Sequence, residues 1–129
     1  MPAFSKKSQT RLNSCHPDLR RVFEFVVQHF DCSILEGARL EDRQNFLFSE
    51  GKSKLEYPDS SHNTMPSNGV DAVPYPVDWD DRERFSLFAG YVIGIALMMG
   101  IKIRWGGDWD SDYQLSDNRF DDLPHFELV

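Results

Sequence analysis

Between residues 16 and 30, apolar side chains recur at helical spacing. Leu19, Val22, Phe23, Val26, Val27 and Phe30 follow the i, i+3, i+4, i+7, i+8, i+11 order of a single face, which predicts an amphipathic helix. Pro17 falls in the first turn, where its missing N–H is tolerated. Residues 33–40, SILEGARL, read as a short strand ending near Arg39. Residues 41–52, EDRQNFLFSEGK, predict a second helix stopped by Gly51. From 52 to 68 the apolar pattern disappears into a loop rich in Ser, Pro and Asn. Loops of that length are usually functional or disordered.

Residues 70–75, VDAVPY, read as a strand, and residues 79–100 as a third helix. Asp80 or Asp81 can cap that helix and Gly100 can end it. After Ser86 it is apolar nearly all round, which predicts a path through the core. Residues 101–105, IKIRW, form a strand, 106–122 a second loop, and 125–129, HFELV, a strand that pins the chain end by pairing. Helices and strands mix without regular βαβ alternation. The expected class is α+β: a small, mainly antiparallel sheet with about three packed helices.

A chain of 129 residues with 40% hydrophobic and 13% aromatic composition supports one domain over residues 1–129. The net charge of −7 and pI near 4.9 repel phosphate backbones, so no nucleic-acid partner is expected. The longest apolar run, residues 87–101, falls short of the roughly 18 to 20 residues that span a bilayer, so no membrane insertion is expected. The first fifteen residues lack the apolar core of a secretory signal. Cys15 and Cys32 read as two small buried apolar residues, although a single bridge between them stays open.

Charge and composition leave the histidines as the carriers of chemistry. His29 ends the first helix, where a cation suits the helix dipole, and His16 fits packing at the helix start. His62 is different, because it sits in the structureless loop with Asp71 on the following strand and His125 far along the chain. Two histidines and a carboxylate, with one position left for water, make a catalytic zinc pattern. Asp122 precedes His125 by three residues across Pro124, which favours a bend. Such a bend can bring both side chains to one side, with Asp122 acting as an acid/base beside the ligands or standing solvated at a strand start. Trp105, Gly106, Gly107, Asp108 and Trp109 suit a cleft wall or, equally, a tight turn with two packed tryptophans.

Seven stretches fall in order over nearly the whole chain: CHPDL at 15–19, EGAR at 36–39 with Gln44 following, GKSK at 51–54, SSHN at 60–63, VDAVPYPVDW at 70–79, WGGDW at 105–109 and DLPHFEL at 122–128. With them the sequence resembles the zinc D-Ala-D-Ala carboxypeptidase and L-Ala-D-Glu endopeptidase family, and particularly its small phage endolysins. One departure is that Gly69 stands where the family often has alanine, with the longer spacing between His62 and Asp71.

The resemblance implies His62, Asp71 and His125 as zinc ligands at the sheet edge, Asp122 as the catalytic acid/base and Arg39 as the contact to the developing oxyanion. Gln44, Ser60, Trp105 and Asp108 are the expected substrate-binding residues, with Ser60 orienting His62 or its loop. The implied substrate is the peptide stem of peptidoglycan, cut at the L-Ala-D-Glu bond by a monomer. The alternatives are a D-Ala-D-Ala carboxypeptidase or a non-catalytic, zinc-stabilised wall-binding domain. A lysin of this kind would be made in the host cytoplasm, cross the membrane with help such as a holin, and act in the periplasm on the cell wall.

Overall fold

Segments with a clear apolar stripe fold as the pattern predicts, and one helix forms without such a stripe. A computed structural model describes all residues, Met1–Val129. Its order is α1 (Lys6–Asn13), α2 (Pro17–His29), β1 (Cys32–Glu36), α3 (Glu41–Ser49), a 3-10 turn (Ser61–Asn63), β2 (Gly69–Pro74), α4 (Arg82–Met98), β3 (Ile103–Gly106) and β4 (Asp122–Leu128). Four α-helices therefore stand where about three were expected. Helix α1 escapes the periodicity because KKSQTRLN buries only Ser8 and Leu12. Its signal is the cap: the Ser5 hydroxyl accepts the Ser8 N–H at 3.1 Å. Asp81, one of the two expected caps, accepts the Arg84 N–H at the start of α4. No helix is long and apolar enough to cross a membrane.

All three strand pairings are antiparallel, in the order β1-β2-β4-β3. Alternation then sorts the side chains by face. Val70, Ala72, Ile103, Trp105 and Phe126 turn into the core with Val22, Phe23, Val26, Phe88 and Val92 from α2 and α4. Phe126 sits edge-on to both Phe23 and Phe88, at centroid distances of 5.5 and 6.0 Å. Truncating such a buried ring costs about 3 to 5 kcal/mol.

Helix α4 is less enclosed than its composition predicts. Phe85, Phe88, Ala89, Val92 and Ala96 are buried, whereas Leu87 and Met98 are largely exposed. Helix α2 and the sheet cover only one side of it, so an all-round apolar sequence does not become an all-round buried helix. The chain end is tied down as expected: the Leu128 and Val129 N–H groups donate to Asn68 and Lys102 carbonyls. Cys15 and Cys32 are free thiols in the core, and burial pushes them up to about 11 and about 12.

Candidate metal centre and cleft

The face of the sheet turned away from the core is polar along its inner strands. Asp71 on β2 pairs directly with His125 on β4, and Glu127 lies two residues further along the same face, opposite Arg104 on β3. Sheet register alone therefore brings an acid and a histidine into contact. These two residues stand on the inner strands β2 and β4, where a position at the sheet edge was expected. His62 arrives from the 3-10 turn, which Ser60 caps by accepting the His62 N–H at 3.2 Å. Gly69 makes room for this turn, since a Cβ there would meet the Ser61 hydroxyl.

Three donor atoms converge. His62 Nε2, His125 Nδ1 and Asp71 Oδ1 are separated pairwise by 3.2 Å. Tetrahedral zinc, with bonds of about 2.0 to 2.2 Å to nitrogen and oxygen, holds neighbouring ligand atoms about 3.3 Å apart. The outer partners point the same way. His62 Nδ1 lies 2.7 Å from the Gly37 carbonyl, which can only accept, so this nitrogen carries the proton. His125 Nε2 lies 2.7 Å from the Glu127 carboxylate and donates to it. Each ring is thus held with its other lone pair facing the Asp71 carboxylate, an arrangement that a cation satisfies. The residues fit a zinc-type ion.

With only protons available, one must sit among these three acceptors. Burial opposes a charged His125, but hydrogen bonds to Asp71 and Glu127 outweigh it and push the imidazole up to about 9. Burial likewise opposes a charged Asp71, yet bonds from His125 and His62 hold its carboxyl well below the usual range.

The centre lies in a cleft of about 470 Å³ whose lining includes Arg39, Ser60, His62, Asp71, Asp122 and His125. Asp122 reaches it through an irregularity in β4. Trp105 pairs with Phe126, but the next residue, Gly106, pairs with Asp122. The intervening residues bulge, so Asp122 and His125 share the cleft although strict alternation would separate them. Gly106 permits the close approach, because a Cβ there would meet the Asp122 carbonyl. Burial, and then the Asp71 charge, hold the Asp122 carboxyl above its ordinary range.

Arg39 is buried and fixed. Its guanidinium donates to both Glu36 carboxylate oxygens, at 2.8 and 3.0 Å, and to Gln44 Oε1 at 2.9 Å. It lies 3.9 Å from Asp71. Gln44 does not itself line the cleft. It holds Arg39 from behind and donates to the Leu55 carbonyl at 2.6 Å, tying α3 to the 53–55 loop.

Trp105 and Asp108 do not reach this cleft. Trp105 falls on the core-facing parity of β3 and donates its indole N–H to the Leu123 carbonyl at 2.7 Å, bracing the bulge from behind. Asp108 is buried beside Tyr113. Trp109 lines the cleft instead, with its ring 5.6 Å from that of His125. Sequence reading missed Glu127, Glu36 and the cleft cations Lys52, Lys54 and Arg104. For Glu127 the signal was available, because His-x-Glu on a strand places both side chains on one face.

Comparisons with known proteins agree with this architecture. The sequence model of the family described as phage L-alanyl-D-glutamate peptidase matches residues 2–129. The L-alanyl-D-glutamate peptidase of Escherichia phage T5 is 29% identical over 134 residues, covering 98% of this chain and 97% of that protein. The crystal structure of the Serratia marcescens L-Ala D-Glu endopeptidase ChiX superposes with a TM-score of 0.77 at 28% identity, covering 99% of this chain and 91% of that one.

Proposed function

The chain is a peptidase belonging to the phage L-alanyl-D-glutamate peptidase family, and from that premise we propose that it is a zinc-dependent endolysin cutting the L-alanyl-D-glutamate bond of peptidoglycan stem peptides. The observation that carries the zinc part is the convergence of three lone-pair donors, each pair 3.2 Å apart, inside a cleft shared with Asp122 and Arg39. Zinc held by His62, Asp71 and His125 would supply a Lewis acid that activates water and polarises the scissile carbonyl. Asp122 takes the proton of the attacking water and returns it to the leaving nitrogen. Its raised carboxyl suits that role, since a base with a higher pKa holds the proton better in transit.

Arg39 keeps its orientation through Glu36 and Gln44 and directs its remaining N–H groups to the developing oxyanion. Lys52, Lys54 and Arg104 join Arg39 around the cleft. Arg39 and Arg104 are engaged by Glu36 and Glu127, whereas Lys52 and Lys54 enter no ion pair, and on a chain of net charge −7 these two lysines favour an anionic peptide such as one carrying a D-glutamate carboxylate. Residues 1–129 act as one catalytic domain and as a monomer, made in the host cytoplasm and active at the cell wall.

The deciding experiment digests purified peptidoglycan with zinc-loaded protein and identifies the new termini by mass spectrometry. New alanine carboxyl and glutamate amino termini support the reading. Release of free D-alanine would assign a carboxypeptidase instead, and no new termini would leave a wall-binding domain.

A further inference from the structure

Two cations of the cleft take no part in the bond-breaking steps above. Lys52 and Lys54 line it from the segment between α3 and the 3-10 turn, and neither forms an ion pair. The arginines beside them are answered, Arg39 by Glu36 and Arg104 by Glu127. Lys54 is placed as well as uncompensated. Its Nζ lies 4.2 Å from the centre of the Phe120 ring, which lines the cleft from just before β4. A ring face attracts an ammonium without neutralising it or taking up all of its N–H donors.

The backbone under Lys54 is tied to Arg39. Gln44, fully buried on α3, accepts from Arg39 Nη1 at 2.9 Å and donates to Ser53 Oγ at 3.0 Å and to the Leu55 carbonyl at 2.6 Å. One side chain thus sets both chain neighbours of Lys54 relative to the guanidinium assigned to the oxyanion. On the other side, the Phe120 ring under the ammonium precedes Asp122 by two residues, and Asp122 is the group that returns a proton to the leaving nitrogen.

Resting on the peptidase reading, we propose that Lys54, supported by Lys52, receives the free α-carboxylate of the D-glutamyl residue and selects stem peptides in which it is ionised over those in which it is amidated. The leaving nitrogen belongs to D-glutamate, which has two carboxyls. Where the stem continues through the side-chain carboxyl, the α-carboxylate remains as an anion two bonds from that nitrogen, on the side where Lys54 and Phe120 meet. A carboxamide has nearly the same shape but no charge, and its NH2 sets a donor against an ammonium that has only donors. Shape alone cannot separate the two peptides, whereas an uncompensated lysine can. Lys54 is exposed, so water and salt limit the discrimination to about 10- to 100-fold, below that of a sealed polar site.

The test compares N-acetyl-L-alanyl-γ-D-glutamyl-L-lysine amide with its α-carboxamide analogue on the zinc-loaded full chain. Wild-type kcat/KM should be about 10- to 100-fold higher for the free acid, and the ratio should shrink as sodium chloride rises from about 0.05 to 0.5 M. Lys54→Gln should bring the ratio below about 3 through a loss on the acid peptide, mostly in KM. Lys54→Arg should keep most of the preference, and Lys54→Glu should reverse it. Zinc content and Tm should match wild type in all three, because the side chain is exposed. Calorimetry of both peptides with zinc-loaded Asp122→Asn reads the same preference as a ratio of Kd values, without turnover. Equal kcat/KM or equal Kd for the two peptides, or a preference unmoved in Lys54→Gln, would overturn the proposal. If neither peptide is cut while the acid still binds more tightly through Lys54, the peptidase reading fails and the assignment of Lys54 stands.

Discussion

Glu127 accepts a 2.7 Å hydrogen bond from Nε2 of His125, two residues earlier on the same strand. The contact fixes the His125 tautomer and leaves Nδ1 free to face Asp71 and His62. Glu127 is itself held by Arg104 at 3.4 Å. Outer partners of this kind typically carry about 10- to 100-fold in metal affinity. Glu127→Ala should therefore weaken zinc binding by about that factor with the fold intact, as read by competition with a chelator. Unchanged affinity would show that the ring is oriented by its neighbours without Glu127.

Asp122 shares the cleft with the donors but is not among the three atoms that converge. Asp122→Asn keeps the shape and removes the base. It should retain zinc and fold while lowering kcat by about 100-fold or more. Removing a raised carboxyl should also flatten the acid limb of the pH profile. Wild-type turnover would send the search for the base elsewhere in the cleft.

The elements that were legible in the sequence are those whose side chains report a face. Helix α2 shows its stripe, and β2 and β4 show theirs. The grouping of His62, Asp71 and His125 was legible through spacing and family resemblance, but its geometry was not. It depends on the register between β2 and β4, a long-range pairing that no local window contains. The bulge between Gly106 and Asp122 is equally invisible, although Pro124 signalled a bend. Trp105 and Trp109 show the limit most clearly. Both belong to one WGGDW stretch, yet strand parity sends Trp105 to the core while the loop carries Trp109 to the cleft. Helix α1 was missed because two buried positions in eight residues make no stripe.

Arg39 does not form a surface ion pair. At 9% exposure, bonded to Glu36 and Gln44, it belongs to a buried network. Removing one partner of a buried pair costs about 3 to 5 kcal/mol. Arg39→Ala should thus lower Tm as well as turnover. Arg39→Lys keeps the charge but loses the planar fork that holds Glu36 and Gln44 together. We expect it to retain zinc, lose less stability than the alanine variant, and still lower kcat by about 10- to 1,000-fold. Near-normal kcat in Arg39→Lys at full zinc occupancy would reject the oxyanion role and leave Arg39 a positioning residue.

The metal-free protein should carry a two-sided pH signature. Asp71, Glu127 and Glu36 are all held below their ordinary carboxyl ranges in the fold. Their stabilising contributions are present above the unfolded values of about 4 and are lost as pH falls below them. His125 is shifted the other way, up to about 9. Its contribution is complete below the unfolded value of about 6.5 and disappears as pH rises through about 9. Metal-free Tm should therefore peak between about pH 5 and 6.5 and decline on both sides. Zinc needs the same Nδ1 lone pair, so binding must displace the His125 proton. Apparent zinc affinity should rise about tenfold per pH unit up to about pH 9 and then level off. His125→Ala should lose the alkaline decline in metal-free Tm together with most of the zinc affinity. Chelator competition at a series of pH values measures the slope, and an affinity flat between pH 7 and 9 would show that His125 is already neutral before the metal arrives.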